Sequence, residues 1–74
     1  MKEIAPRIIV DPKIRFGKPI IKGTRVPVDL IIGKIAGGMT VEEMAKEYDL
    51  RKEDIFAALK YAAQVVKEES LIYV

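Results

Sequence analysis

The sequence predicts a mainly α protein, a three-helix bundle of helix-turn-helix type preceded by a short β-hairpin or extended arm. Three observations predict it. Glycines and capping residues divide residues 26–69 into three helical stretches. Apolar residues in the second and third stretches recur at the offsets that two crossing helices bury. Strand-forming dipeptides and tripeptides cluster in the first 25 residues. The expected organisation is one domain, with a basic arm over 1–25, helices over 26–69 and a tail or short strand over 70–74.

Ile8-Ile9-Val10 is β-branched and ends at the turn signal Asp11-Pro12. Ile20-Ile21 lies between Gly17-Lys18-Pro19 and Gly23-Thr24. These two segments read as short strands joined by a loop. A two-stranded unit is marginal in water, so it must pack on the helices or pair with another chain. Pro27 suits the start of a helix and Asp29 complements its dipole, predicting a first helix over Val28 to Ala36 that Gly37-Gly38 stops. Thr40 and Glu43 form a T-x-x-E capping box that opens a second helix through about Tyr48. Asp49 occupies the turn, where Gly is more usual, because Asp tolerates a left-handed backbone better than most residues. A third helix starts near Lys52, with Glu53 and Asp54 in its first turn, and runs to about Glu69; the composition of Ser70 to Val74 favours a short strand over a helix continuation.

In a helix-turn-helix the first helix of the pair needs a small residue at the crossing and apolar residues at set offsets. Ala45 is the small residue, and Met44, Tyr48, Leu50, Ile55 and Ala58 are the inward positions. If the motif reads DNA, the residues entering the major groove come from Arg51, Lys52, Glu53, Phe56, Ala57 and Lys60. Glu53 and Asp54 oppose phosphate binding and are explained as well by dipole complementation, which makes the arm the better nucleic-acid candidate. On the third helix Lys60, Gln64, Lys67 and Glu68 define one polar side, and apolar residues cover most of the rest. That apolar stripe is about twice the width of roughly 100° that one core requires. One flank is therefore expected to dock on another chain through Phe56, Tyr61 and Val65, with Ile8, Ile9 and Val10 as further interface candidates.

Composition agrees with association. Half of the 74 residues are hydrophobic, more than so short a chain easily hides. Cys and His are both absent, which removes disulfides and the common soft-ligand metal sites. A homodimer is the expected remedy. Residues 1–25 carry a net charge of +5 and residues 26–74 carry −3. A basic arm on a mildly acidic body suits phosphates or an acidic protein face. Candidate nucleic-acid contacts are Lys13, Arg15, Lys18, Lys22 and Arg25 on the arm, with Arg51, Lys52 and Lys60 on the third helix. The start of the chain does not read as a signal peptide and no apolar run approaches a membrane span, so a soluble, cytoplasmic protein is expected.

Enzymatic apparatus is not legible. Ser70 is the one serine and has no His or Cys to activate it. The pairs Glu42-Glu43, Glu53-Asp54 and Glu68-Glu69 are sequence neighbours that point to different sides of a helix. Gly17-Lys18 and Gly23-Thr24 lack the order of a phosphate loop. No catalytic residue, cofactor, metal or small-molecule substrate is expected.

The string Gly17-Lys18-Pro19-Ile20-Ile21-Lys22-Gly23-Thr24-Arg25-Val26-Pro27-Val28 strongly resembles the signature of the domain of unknown function 433 family. Gly38-Met39-Thr40, Glu43-Met44-Ala45, Tyr48, Leu50 and Asp54-Ile55 with Ala57-Ala58-Leu59 are similar to its later part. The resemblance spans roughly residues 8–66. It implies a homeodomain-like helical fold with an extended N-terminal region, and a role as antitoxin in a type II toxin–antitoxin pair beside a PIN-like ribonuclease toxin. Such a regulator is expected to dimerise, bind double-stranded operator DNA in transcription regulation, and neutralise the toxin. The alternatives are a protein-interaction module that binds no DNA, or a stand-alone DNA-binding regulator. The family pattern has Ser or Thr just after Leu50, whereas this chain has Arg51, and losing such a cap typically costs about 1 kcal/mol. In the Gly-Thr-Arg string, Gly23 is expected to supply an unusual backbone angle, Thr24 a turn bond, and Arg25 an ion pair with Asp11 or Asp29, or else a phosphate or partner contact.

Overall fold

A computed structural model describes the chain from Met1 through Ser70. It contains strands β1 (Lys2–Ala5), β2 (Ile8–Val10) and β3 (Ile20–Ile21), then helices α1 (Val28–Ala36), α2 (Val41–Glu47) and α3 (Lys52–Ser70). The fold is mainly α with a small antiparallel sheet at the N-terminus, ordered β1-β2-β3. The three helices and the two strands β2 and β3 lie where the sequence places them. Because α3 runs through Ser70, that residue is helical rather than part of a terminal strand, and residues 71–74 lie outside the described residues.

β1 was not legible in the sequence. It pairs with β2 through Lys2 opposite Val10, Glu3 opposite Ile9 and Ala5 opposite Ile8, with a bulge between Glu3 and Ala5. The connecting turn is Pro6-Arg7, and Arg7 takes φ +67°, a value that favours Gly or Asn. Three bonds hold it there. The Arg7 backbone N–H donates to Glu3 Oε2 at 3.0 Å. The Arg7 carbonyl accepts from the Lys22 N–H at 2.8 Å. The Arg7 guanidinium reaches Asp54 at 2.7 Å.

β2 is central. Ile8 faces Ile21, and Ile9 faces Ile20, on its other neighbour β3. Successive side chains leave a strand on opposite faces. Ile8 and Ile21 thus join Val28, Ile31, Met44, Leu50, Ile55 and Ala58 in the main core, while Ile9 and Ile20 are buried apart from that cluster. After β3 the chain reverses at Lys22-Gly23, with Gly23 at φ +81° and the Thr24 N–H donating to the Ile21 carbonyl at 3.0 Å. The Thr24 hydroxyl donates to the same carbonyl at 2.8 Å and accepts from the Val26 N–H at 3.0 Å. Both expected roles in the Gly-Thr pair are met.

Gly38 ends α1 at φ +108° and Asp49 turns the chain between α2 and α3 at φ +54°. Met44, Leu50, Ile55 and Ala58 are buried, and Ala45 and Tyr48 pack against them partly buried, so the small residue and all five inward positions point inward. Between β2 and β3, Arg15, Phe16 and Gly17 take three successive left-handed conformations, with φ of 52°, 57° and 81°. For a non-glycine residue this costs about 1–2 kcal/mol each.

The capping box of α2 is complete. Thr40 Oγ1 accepts from the Glu43 N–H at 3.0 Å and Glu43 Oε1 accepts from the Thr40 N–H at 2.9 Å. That backbone N–H, followed by the Thr40 side chain, holds the Glu43 carboxyl below its ordinary value of 4.5. A carboxyl whose pKa is lower folded than unfolded stabilises the fold above its unfolded value, and the benefit fades as pH falls through the folded one. Thermal melts at about pH 7 and about pH 3.5 should therefore show an acid loss that Glu43→Gln, which keeps an acceptor oxygen but cannot titrate, reduces. An undiminished loss in that variant would refute the assignment.

Candidate functional site

The basic residues predicted to meet a partner are exposed, and the structure sorts those of the arm into two groups. Arg15 Nε donates to the Arg25 carbonyl at 3.2 Å, tying the left-handed loop to the turn before α1. Lys18 pairs with Asp29 in the first turn of α1 at 3.1 Å. This corrects the expectation for Arg25: Asp29 is held by Lys18, and Asp11 Oδ1 accepts from the Lys13 backbone N–H at 3.0 Å. The Arg25 side chain forms neither expected ion pair. Lys22 belongs to the second group. It pairs with Glu3 at 3.4 Å and its backbone bonds Arg7, which leads to Asp54 at the start of α3. Glu3 is depressed below 4.5 by the Arg7 N–H and then by Lys22.

The start of α3 is built by Asp54. Its Oδ2 accepts from the Arg51 N–H at 3.0 Å while its Oδ1 takes the Arg7 guanidinium. The side chain three residues into the helix thus replaces part of the cap that Arg51 itself does not provide. Asp54 is also turned inward, with 13% of its side chain exposed and a cation beside it. It therefore opposes a phosphate far less than its place in the sequence suggests. Lys52 pairs with Glu42 on α2 at 3.4 Å. Glu42 is lowered below 4.5 by its own backbone N–H, then by Lys52. Exposed pairs such as these are worth about 0–1 kcal/mol, so their lysines can exchange a carboxylate for a phosphate at small cost.

Lys52, Phe56 and Lys60 follow one another at intervals of four along α3 and are all exposed. Phe56 keeps 54% of its surface in solvent. Tyr61 and Val65, expected to share one interface with it, lie on another flank. Tyr61 comes five positions after Phe56, which sets them about 140° apart around the helix. Tyr61 and Val65 are half-buried and border two grooves, one toward the β1–β2 turn at Ile4 and Pro6, the other toward α1 at Val28 and Ile32. Of the remaining interface candidates, Ile8 is fully buried and Ile9 is 4% exposed, because the central strand spends both on the chain's own interior. Neither has surface for a partner, and Val10 is half-buried.

Sequence reasoning missed two residues. Arg7 lacked any signal, since its partner is 47 positions away. Phe16 is 99% exposed and stands between Arg15 and Lys18, and as a lone aromatic it carries no periodicity to mark it in the sequence. Among the described residues no group of three or more His, Cys, Asp or Glu side chains could hold a metal ion, and no helix is long and apolar enough to cross a membrane.

Three helices packed with an N-terminal antiparallel sheet define the class: a small mainly α domain with a β clasp. The chain belongs to the family described as "Protein of unknown function (DUF433)", whose model matches residues 8–62. A crystal structure of a DUF433 member protein from Anabaena variabilis is similar at a TM-score of 0.76 and 28% identity, covering 84% of this chain and 62% of that one. The X-ray structure of Rv2018 from Mycobacterium tuberculosis is similar at 0.65 and 27% identity, over 70% of this chain and 24% of that one. An uncharacterised protein of Archaeoglobus fulgidus is 65% identical over 23 residues, which are 31% of this chain and 64% of that protein. In each case the match spans less than two thirds of the relative's length.

Proposed function

We propose that this chain is an antitoxin-type regulator that binds DNA through a helix-turn-helix formed by α2 and α3, dimerises, and masks a PIN-like ribonuclease, without catalysing a reaction itself. The observation that carries the DNA-binding part is the stripe Lys52, Phe56 and Lys60, held outward at the start of α3 while Met44, Leu50, Ile55 and Ala58 lock the crossing beneath it. The homeodomain-like reading places such a stripe in the major groove, with Arg51 beside it. The inward turn of Asp54 supports it by removing one of the two acidic objections. The toxin partner rests on the family likeness stated above.

The test is fluorescence anisotropy with the DNA fragment upstream of the chain's own gene across a range of salt. Binding should weaken steeply with salt, and Lys52→Ala and Lys60→Ala should each weaken it and lower the log–log slope by about one. Binding that is absent, or indifferent to salt, overturns the DNA reading. A second reading, a protein-interaction module without DNA binding, is favoured by the apolar groove between α1 and the later turns of α3. Co-purification with the product of the neighbouring gene, together with no DNA binding, would select it.

A further inference from the structure

We infer that Phe16 is a base-stacking residue: the left-handed loop presents its ring to the face of a nucleobase while the basic residues around it hold the adjoining phosphates. This deepens the DNA-binding reading above and rests on it. Phe16 is the most exposed large apolar side chain among the described residues, at 99%. Simple chain reversal does not explain it. The loop holds two consecutive non-glycine residues, Arg15 and Phe16, at positive φ, where Gly or Asn would fit without strain. The strained backbone is fastened at both ends, by the Gly17 N–H to the Ile14 carbonyl at 3.1 Å and by the Lys18 N–H to the Arg15 carbonyl at 3.1 Å. The ring is thus held out on a stiff mount.

Charge decides what it meets. Lys13, Arg15 and Lys18 flank it in sequence, and the bond from Arg15 Nε to the Arg25 carbonyl ties the segment that carries Arg25 to the same loop. The nearby carboxylates, Asp11 and Asp29, are already engaged by the Lys13 N–H and by Lys18. Two copies of this chain meeting loop to loop would set this cationic surface against its own kind, where like charges repel. A polyanion with flat apolar faces, a nucleic acid, matches both features. In single strands the ring would stack on an unpaired base, and in a duplex it would wedge at a base step.

The chain has no tryptophan, so Phe16→Trp installs a single indole reporter at the loop without altering charge. The probes are a mixed-sequence duplex and the corresponding single strand, both of about 20 nucleotides per strand. Saturating at least one of them should quench the indole, and the probe that quenches it identifies the source of the base. Phe16→Ala should weaken binding about tenfold, with an unchanged salt slope and an unchanged melting temperature. A wild-type chain that binds neither probe overturns the DNA reading and this inference with it. Wild-type affinity retained in Phe16→Ala, with no quenching in Phe16→Trp, overturns this inference alone. So does a sedimentation experiment in which Phe16→Ala changes the oligomeric state and leaves nucleic-acid affinity intact.

Discussion

Ile55→Ala should leave the chain largely unfolded at room temperature. Ile55 is completely buried where α3 meets the rest of the core, beside Met44 and Ala58. Removing three buried carbons costs the transfer energy plus the cavity, typically about 2–5 kcal/mol for Ile→Ala. A domain of this size, with no disulfide, has about 3–5 kcal/mol to lose. Ile55→Val, which removes one methyl, should cost about 1 kcal/mol and remain folded. The neighbouring Phe56→Ala provides the contrast: its ring is more than half in solvent, so stability should change by less than about 0.5 kcal/mol. Urea titrations followed by far-UV circular dichroism would order the three. A Phe56→Ala variant as unstable as Ile55→Ala would show that the face assignment of α3 is wrong.

Asp54→Ala should be the most damaging polar substitution, at about 2 kcal/mol, because one side chain performs two tasks. It accepts the Arg51 N–H that opens α3, and it holds the Arg7 guanidinium that sustains the β1–β2 turn. Arg7→Ala should cost less, since it removes the ion pair alone: Asp54, though left without its cation, still accepts the Arg51 N–H that opens α3. In the double variant the two losses should fall short of additive by up to about 1 kcal/mol. Strict additivity in the same urea titrations would mean that the ion pair contributes nothing in solution.

The helices were legible because their signals are local. Thr40 with Glu43, Gly37 with Gly38, and Asp49 each act within four residues, and the structure uses all three as the sequence implies. The inward set from Met44 to Ala58 was readable for the same reason, as spacing on two short helices. β1 was not legible. Lys2-Glu3-Ile4-Ala5 has no β-branched run, and its turn is Pro-Arg where a hairpin more often shows Asn-Gly. What makes the strand is distant: Asp54 for Arg7, and Lys22 for Glu3. The same distance explains the error over Ile8 and Ile9. A two-stranded unit lacks cover and makes a partner an alternative to the helices; β1 and β3 on either side, with the helices against one face, supply that cover within the chain. The apolar positions of α3 are legible as a pattern, but their division into Phe56 on one side and Tyr61 with Val65 on another is set by how the helix packs.

A three-stranded sheet in so small a protein exposes two rims, and unsatisfied rims invite strand-by-strand polymerisation. Here each is closed by a different means. The β1 rim carries Lys2 and Glu3 and is broken by the irregularity before Ala5, so a newcomer would find charge and lost register. The β3 rim is already taken by the returning segment, through the Ile21 N–H to the Val26 carbonyl and the bridge from Ile20 to Pro27, a residue with no amide hydrogen to offer outward. Neither rim is an open template for fibrils, so the described part of the sheet ends with its own three strands.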